Sequence, residues 1–196
     1  MKLGLKEGTK LIAISRKAIE FGFKENSSEL KGISGFKSKS GVFVSLYIGD
    51  HLRGCVGIVL PIFPLSKAVV DTARAAAFND SRFHPLIQDE FNHLRIEISV
   101  LTPLEPLKNK SPGDVLKEIK IGRDGLMIKY AGFSGLLLPQ VAVEHKWGVQ
   151  EFLEQTCVKA GLAQKDWKEK ECDIYKFQAK IFSEQEPMGK VIEKKL

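Results

Sequence analysis

Between residues 42 and 48 the chain reads VFVSLYI, in which Val42, Val44, Leu46 and Ile48 alternate with Phe43, Ser45 and Tyr47. A period of two with one strongly apolar face predicts a β-strand. Gly49-Asp50 supplies a turn, and HLRGCVGIV (51–59) returns as the second strand of a hairpin. Leu94, Ile96, Ile98 and Val100 alternate strictly with Arg95, Glu97 and Ser99, the cleanest strand signal in the sequence. GLMIKYAGFSGLLLP (125–139) reads as a further hairpin with glycines in its turn, and Tyr175, Phe177, Ala179 and Ile181 mark a last strand.

Helical spacing appears elsewhere. Leu11, Ile14, Ala18 and Phe21 predict a helix over about 10–22, with Thr9 as its cap. A second helix opens at Pro64 or Ser66, runs to about Phe78 and stops at Asn79-Asp80-Ser81. Ser111-Pro112-Gly113-Asp114 is a helix start, with a serine cap, a proline at the first helical position and an acid in the first turn. Pro139 leads into a helical stretch, and a helix over about 149–160 stops at Gly161. The polar segment 26–40 reads as a long loop. Strands that come in hairpins, with helices between them at irregular intervals, predict an α+β fold with a mainly antiparallel sheet and flanking helices.

Composition narrows the class. The 196 residues are 43% hydrophobic, spread along the whole length, which fits one globular domain. No apolar run approaches the ~20 residues of a membrane span, and the first residues lack the apolar core of a secretory signal. Three widely spaced cysteines, Cys55, Cys157 and Cys172, support neither a disulfide framework nor a zinc ribbon, so a cytoplasmic location is expected. The net charge of +6 comes mostly from lysines dispersed over the chain. No base-reading motif accompanies them, which places nucleic acid last among expected partners. No phosphate-binding glycine loop follows a strand, and the histidines lack metal-ligand spacing, so neither a cofactor nor a metal is expected.

Three clusters carry candidate chemistry. In HLRGCVG, strict alternation puts Arg53 and Cys55 on one strand face about 7 Å apart, and leaves His51 about 13 Å from the thiol. A guanidinium at that range favours the thiolate. Gly54 and Gly57 leave room for a ligand or another backbone. The alternative is a small cysteine in a tight packing spot. The second cluster is Asp80, Arg82 and His84 in the loop NDSRFHP, either a functional loop or a helix stop with an internal ion pair. The third is Glu97, a general acid or base on a sheet face or a cross-strand salt-bridge partner.

Taken together, GVFVSL (41–46), LRGCVG (52–57), NDSRFHPL (79–86), LRIEISVLTPLEPL (94–107), IGRDGLMI (121–128), GLLLPQVAVEHKWGVQEFLEQTCVKAGL (135–162) and YKFQAKIF (175–182) resemble the AMMECR-type domain family, in order and over nearly the whole chain. The family hallmark LRGCIG corresponds to Leu52–Gly57, with Val56 in place of isoleucine. The resemblance implies a single domain over 1–196 made of a larger and a smaller subdomain, with the hallmark near a cleft between them. It implies no activity. Related domains are encoded beside Memo-type and radical-SAM proteins, which implies partners in a shared pathway.

Two functional readings follow. In the first, the chain is an enzyme or enzyme subunit: Cys55 is the reactive group, Arg53 and Arg82 bind an anionic substrate group, and Glu97 or His84 moves protons. In the second, it is a non-catalytic module that recognises a small ligand or partner protein through Arg53, Asp80, Arg82 and the backbone at Gly54 and Gly57.

Overall fold

A computed structural model describes residues 3–24, 35–107 and 111–195. The chain divides into two compact units, one of Met1–Leu101 with Lys180–Lys195, the other of Thr102–Ala179. The expected loop over 26–40 falls mostly outside the described residues.

In the first unit, β1 (Val42–Ile48) is flanked by antiparallel β2 (His51–Ile58) and β3 (Leu94–Leu101). The end of β7 (Asp173–Glu184) follows β3 in strand order and pairs antiparallel with β8 (Val191–Lys194). β2 is therefore an edge strand. Val42, Val44 and Leu46 of β1 and Ile96, Ile98 and Val100 of β3 are buried in one core with α1 (Leu5–Phe23) and α2 (Leu65–Phe78). The alternation read from sequence is thus a helix-covered sheet face.

Two expectations for this unit need correction. Thr9 does not cap the first helix: α1 starts at Leu5 after Gly4, whose backbone N–H donates to the Glu7 side chain, and the Thr9 hydroxyl donates back to Leu5 O. The extra turn is favoured because Gly8 lets the Phe182 ring lie against the helix, where any Cβ would overlap it. Strict alternation also fails in β2. The register steps from Leu46↔Gly54 to Tyr47↔Leu52, leaving Arg53 as the extra residue of a β-bulge.

The second unit is built on β5 (Asp124–Tyr130), which pairs antiparallel with β6 (Phe133–Leu137) and with the first part of β7. Its turn residues Ala131 and Gly132 both have positive φ, 50° and 84°, the backbone of a two-residue hairpin loop. A short β4 (Glu105–Pro106) pairs with β7. α3 (Pro112–Glu118), α4 (Pro139–Glu144) and α5 (Val149–Lys159) accompany the strands. Their core holds Leu126, Ile128, Phe152, Leu153, Cys157 and Trp167. The Ser111 cap forms as expected, and Gly161 terminates α5 at φ 78°. The α+β class holds, with an antiparallel sheet arrangement. β4 and β8 carry no alternation long enough to be read from sequence.

Candidate functional site

The β2 segment His51–Ile58 is shaped first by its packing. A Cβ on Gly54 would stand 2.1 Å from the carbonyl oxygen of Ala76, so the glycine is what allows α2 to lie against β2. A Cβ on Gly57 would stand 2.2 Å from the Phe43 ring, its cross-strand partner. At Gly54 the neighbour is another backbone, one of the two kinds expected; at Gly57 it is a side chain, which neither expectation named.

The polar residues around Cys55 form two groups. One is a polar row across the sheet: Cys55 is the register partner of Ser45, and Ser45 that of Glu97. The Ser45 hydroxyl donates to Cys55 Sγ at 3.2 Å. Glu97 is 1% exposed and accepts from Lys194 Nζ at 2.8 Å, so the terminal strand β8 supplies the cation for a carboxylate far from it in sequence. Burial pushes the half-buried Cys55 thiol above its ordinary range; the Ser45 hydrogen bond and Arg82 act the other way without reversing it. The cation acting on Cys55 is Arg82. Arg53 is engaged elsewhere, because the bulge breaks the alternation that would have kept it beside the thiol.

The other group closes the outer edge of β2. Asp80 Oδ2 accepts from the Cys55 backbone N–H at 2.8 Å, and Arg82 Nη2 donates to the Cys55 carbonyl at 3.0 Å. Asp80 and Arg82 thus occupy both backbone groups that Cys55 would offer to an added strand. They bind each other through Nε–Oδ1 at 2.9 Å and Nη2–Oδ2 at 2.7 Å, and this pairing holds the Asp80 carboxyl down at about 2. Arg53 donates Nε and Nη2 to Glu90 at 2.7 and 2.9 Å, and Nη2 reaches Pro85 O at 3.4 Å. The Arg53 guanidinium keeps the Glu90 carboxyl below its usual range, and Glu90 also caps the Ile87 N–H at the start of a 3-10 turn, Gln88–His93.

Arg53, Ser81, Arg82, Phe83, His84 and Glu90 line an open depression of about 630 Å³. The geometry therefore gathers Arg53, Arg82 and exposed His84 in one place. Cys55 and Glu97 share the sheet row instead, Gly54 and Gly57 are taken up by packing, and Asp80 sits behind Arg82. Sequence reasoning missed Ser45, Glu90 and Lys194. Ser45 was recoverable, since hairpin register places it opposite Cys55. Glu90 and Lys194 lie outside any local pattern.

The AMMECR1 family model matches residues 12–182. The chain belongs to the AMMECR1 family. Among AMMECR1 relatives, a protein of Methanocaldococcus jannaschii is 44% identical over 99% of this chain and 98% of its own length. One from Methanopyrus kandleri is 42% identical over 100% and 97%, and one from Aquifex aeolicus 44% over 92% and 94%. The crystal structure of an uncharacterized protein from Pyrococcus horikoshii superposes with a TM-score of 0.94 at 39% identity, covering 100% of both chains. No helix among the described residues is long and apolar enough to cross a membrane.

Proposed function

We propose that this AMMECR1-family chain is a recognition module, binding a small ligand or a segment of a partner protein in the depression formed by Arg53, Ser81, Arg82, Phe83, His84 and Glu90. One observation carries this reading. The Arg82 side chain is 49% exposed and yet fixed, because its Nε and Nη2 are anchored on Asp80 and on the Cys55 carbonyl. An exposed donor that is already oriented loses little freedom when a ligand arrives. The groups suited to nucleophilic chemistry are placed differently: Cys55 has its thiol form favoured by burial, and Glu97 is sealed against Lys194.

The test is retention of small molecules from a metabolite extract by the full chain, read by mass spectrometry. Wild type and Cys55→Ser should retain the same compound, and Arg82→Lys should lose it. Arg82→Lys retaining it unchanged overturns the reading.

A second reading has its own support. The Ser45 hydroxyl donates to Cys55 Sγ, as a group that stabilises a thiolate would. In that case the chain is an enzyme or enzyme subunit working beside Memo-like and radical-SAM proteins. Loss of the retained compound or of turnover in Cys55→Ser, with the fold intact, favours it over the first.

A further inference from the structure

Given that the depression is the binding site, we propose that the group it recognises is a single carboxylate carried on an apolar body, as in an N-acylated amino acid or a peptide C-terminus. Two features lead there. The first is the set of donors that remain. Arg53 spends Nε and Nη2 on Glu90 and Pro85 O, and Arg82 spends Nε and Nη2 on Asp80 and Cys55 O. Nη1 of each guanidinium has no acceptor among the described residues. Both side chains line the depression, so these two NH2 groups, on guanidiniums anchored by carboxylates, are the charged donors left for a ligand beside Ser81 and His84. A carboxylate accepts at two oxygens and is the single group able to take a charge-assisted bond at each.

The second is the local charge. Arg53 and Arg82 are each balanced by an ionised partner, Glu90 and Asp80, so the four groups sum to zero. A phosphate dianion entering here would give up more hydration than a singly charged carboxylate, with no net positive charge in the site to offset the cost. Sites for phosphate instead rely on uncompensated cations and converging backbone N–H groups. The depression also carries an apolar wall. The Phe83 ring lines it, with the Arg82 guanidinium 5.4 Å from the ring centre. An anion with no apolar body would leave that wall unused.

The experiment titrates the full chain by isothermal calorimetry with four probes: N-acetylphenylalanine, its carboxamide, phenyl phosphate, and a tripeptide ending in a free carboxyl-terminal phenylalanine. The acid is expected to bind about tenfold or more tightly than the carboxamide, the worth of one charge-assisted pair, and more tightly than phenyl phosphate. Arg53→Lys, which keeps the charge and loses the planar fork, should weaken the acid at least about fivefold with the circular dichroism spectrum unchanged. Tighter binding of the tripeptide than of N-acetylphenylalanine assigns the carboxylate to a peptide end, and the reverse assigns it to a small molecule. Equal affinity for acid and carboxamide, preference for phenyl phosphate, or no binding of any probe overturns the carboxylate assignment. If the metabolite extract still yields a compound that Arg82→Lys loses, the depression remains the binding site while the ligand class is wrong. If Arg82→Lys retains that compound unchanged, both fall.

Discussion

Replacing Gly54 by alanine tests the physical reason for a glycine at that position. The added Cβ would stand 2.1 Å from the Ala76 carbonyl oxygen, where ordinary contact begins near 3.4 Å, so strand and helix must part by about an ångström. That oxygen belongs to the backbone of α2, and Ala76 is 1% exposed in the core, so no side chain can swing aside to make room. Overpacking a well-filled site costs about 1–3 kcal/mol, while the alanine recovers about 0.5–1 kcal/mol of the conformational freedom glycine gives up in a strand. Because both clashing atoms are held by backbone, the upper end of the overpacking range applies and the expected net loss is about 2 kcal/mol. Gly57→Ala is the internal control. Its Cβ meets the ring of Phe43, which is only half-buried and can rotate away, so the loss should stay below about 1 kcal/mol. Urea unfolding followed by far-ultraviolet circular dichroism gives both values. If Gly54→Ala costs less than about 0.5 kcal/mol, or Gly57→Ala costs as much, then close helix approach is not why glycine stands at position 54.

Three further outcomes are expected. Asp80→Asn should cost about 1–2 kcal/mol at neutral pH, the worth of a carboxyl lowered from 3.8 to about 2, reduced because its partner Arg82 is half-exposed. A lowered carboxyl stabilises above its unfolded value and loses that effect as pH falls toward about 2, so the gap between wild type and variant should close between pH 4 and 2; a gap independent of pH refutes the ion pair. Alkylation by iodoacetamide should be slow at pH 7 and accelerate at Cys55 before Cys157 and Cys172, whose thiols burial pushes to about 11 and about 12. Ser45→Ala should move the Cys55 onset to still higher pH, and rapid labelling of Cys55 at pH 7 contradicts the burial argument. Lys146 holds φ 57° just past α4, with Trp147 N–H bonded back to Ala142 O, a helix ending that glycine suits better. Lys146→Gly should therefore stabilise the chain by about 1 kcal/mol in the same urea assay, and a loss would show that Lys146 makes a compensating contact.

The sequence by itself determined the α+β class and most elements, because alternation and its punctuation are local. Val42 to Ile48 and Leu94 to Val100 declared their buried faces, Ser111-Pro112 declared a helix start, and Gly161 a helix stop. It also marked Arg53, Cys55, Arg82 and Glu97 as residues of unusual type for their positions. What each of them touches was decided by tertiary structure. One extra residue at Arg53 broke the parity on which its pairing with Cys55 rested and turned it toward Glu90, 37 residues on. The Cys55 backbone is met by Asp80, 25 residues away, and Glu97 by Lys194, 97 residues away, on a strand too short to announce itself. A periodic pattern records which face a residue turns to the core. It holds no record of which distant charge the folded chain brings to that face, and at the edge of β2 those distant charges decide what the Cys55 backbone and the Arg53 side chain meet.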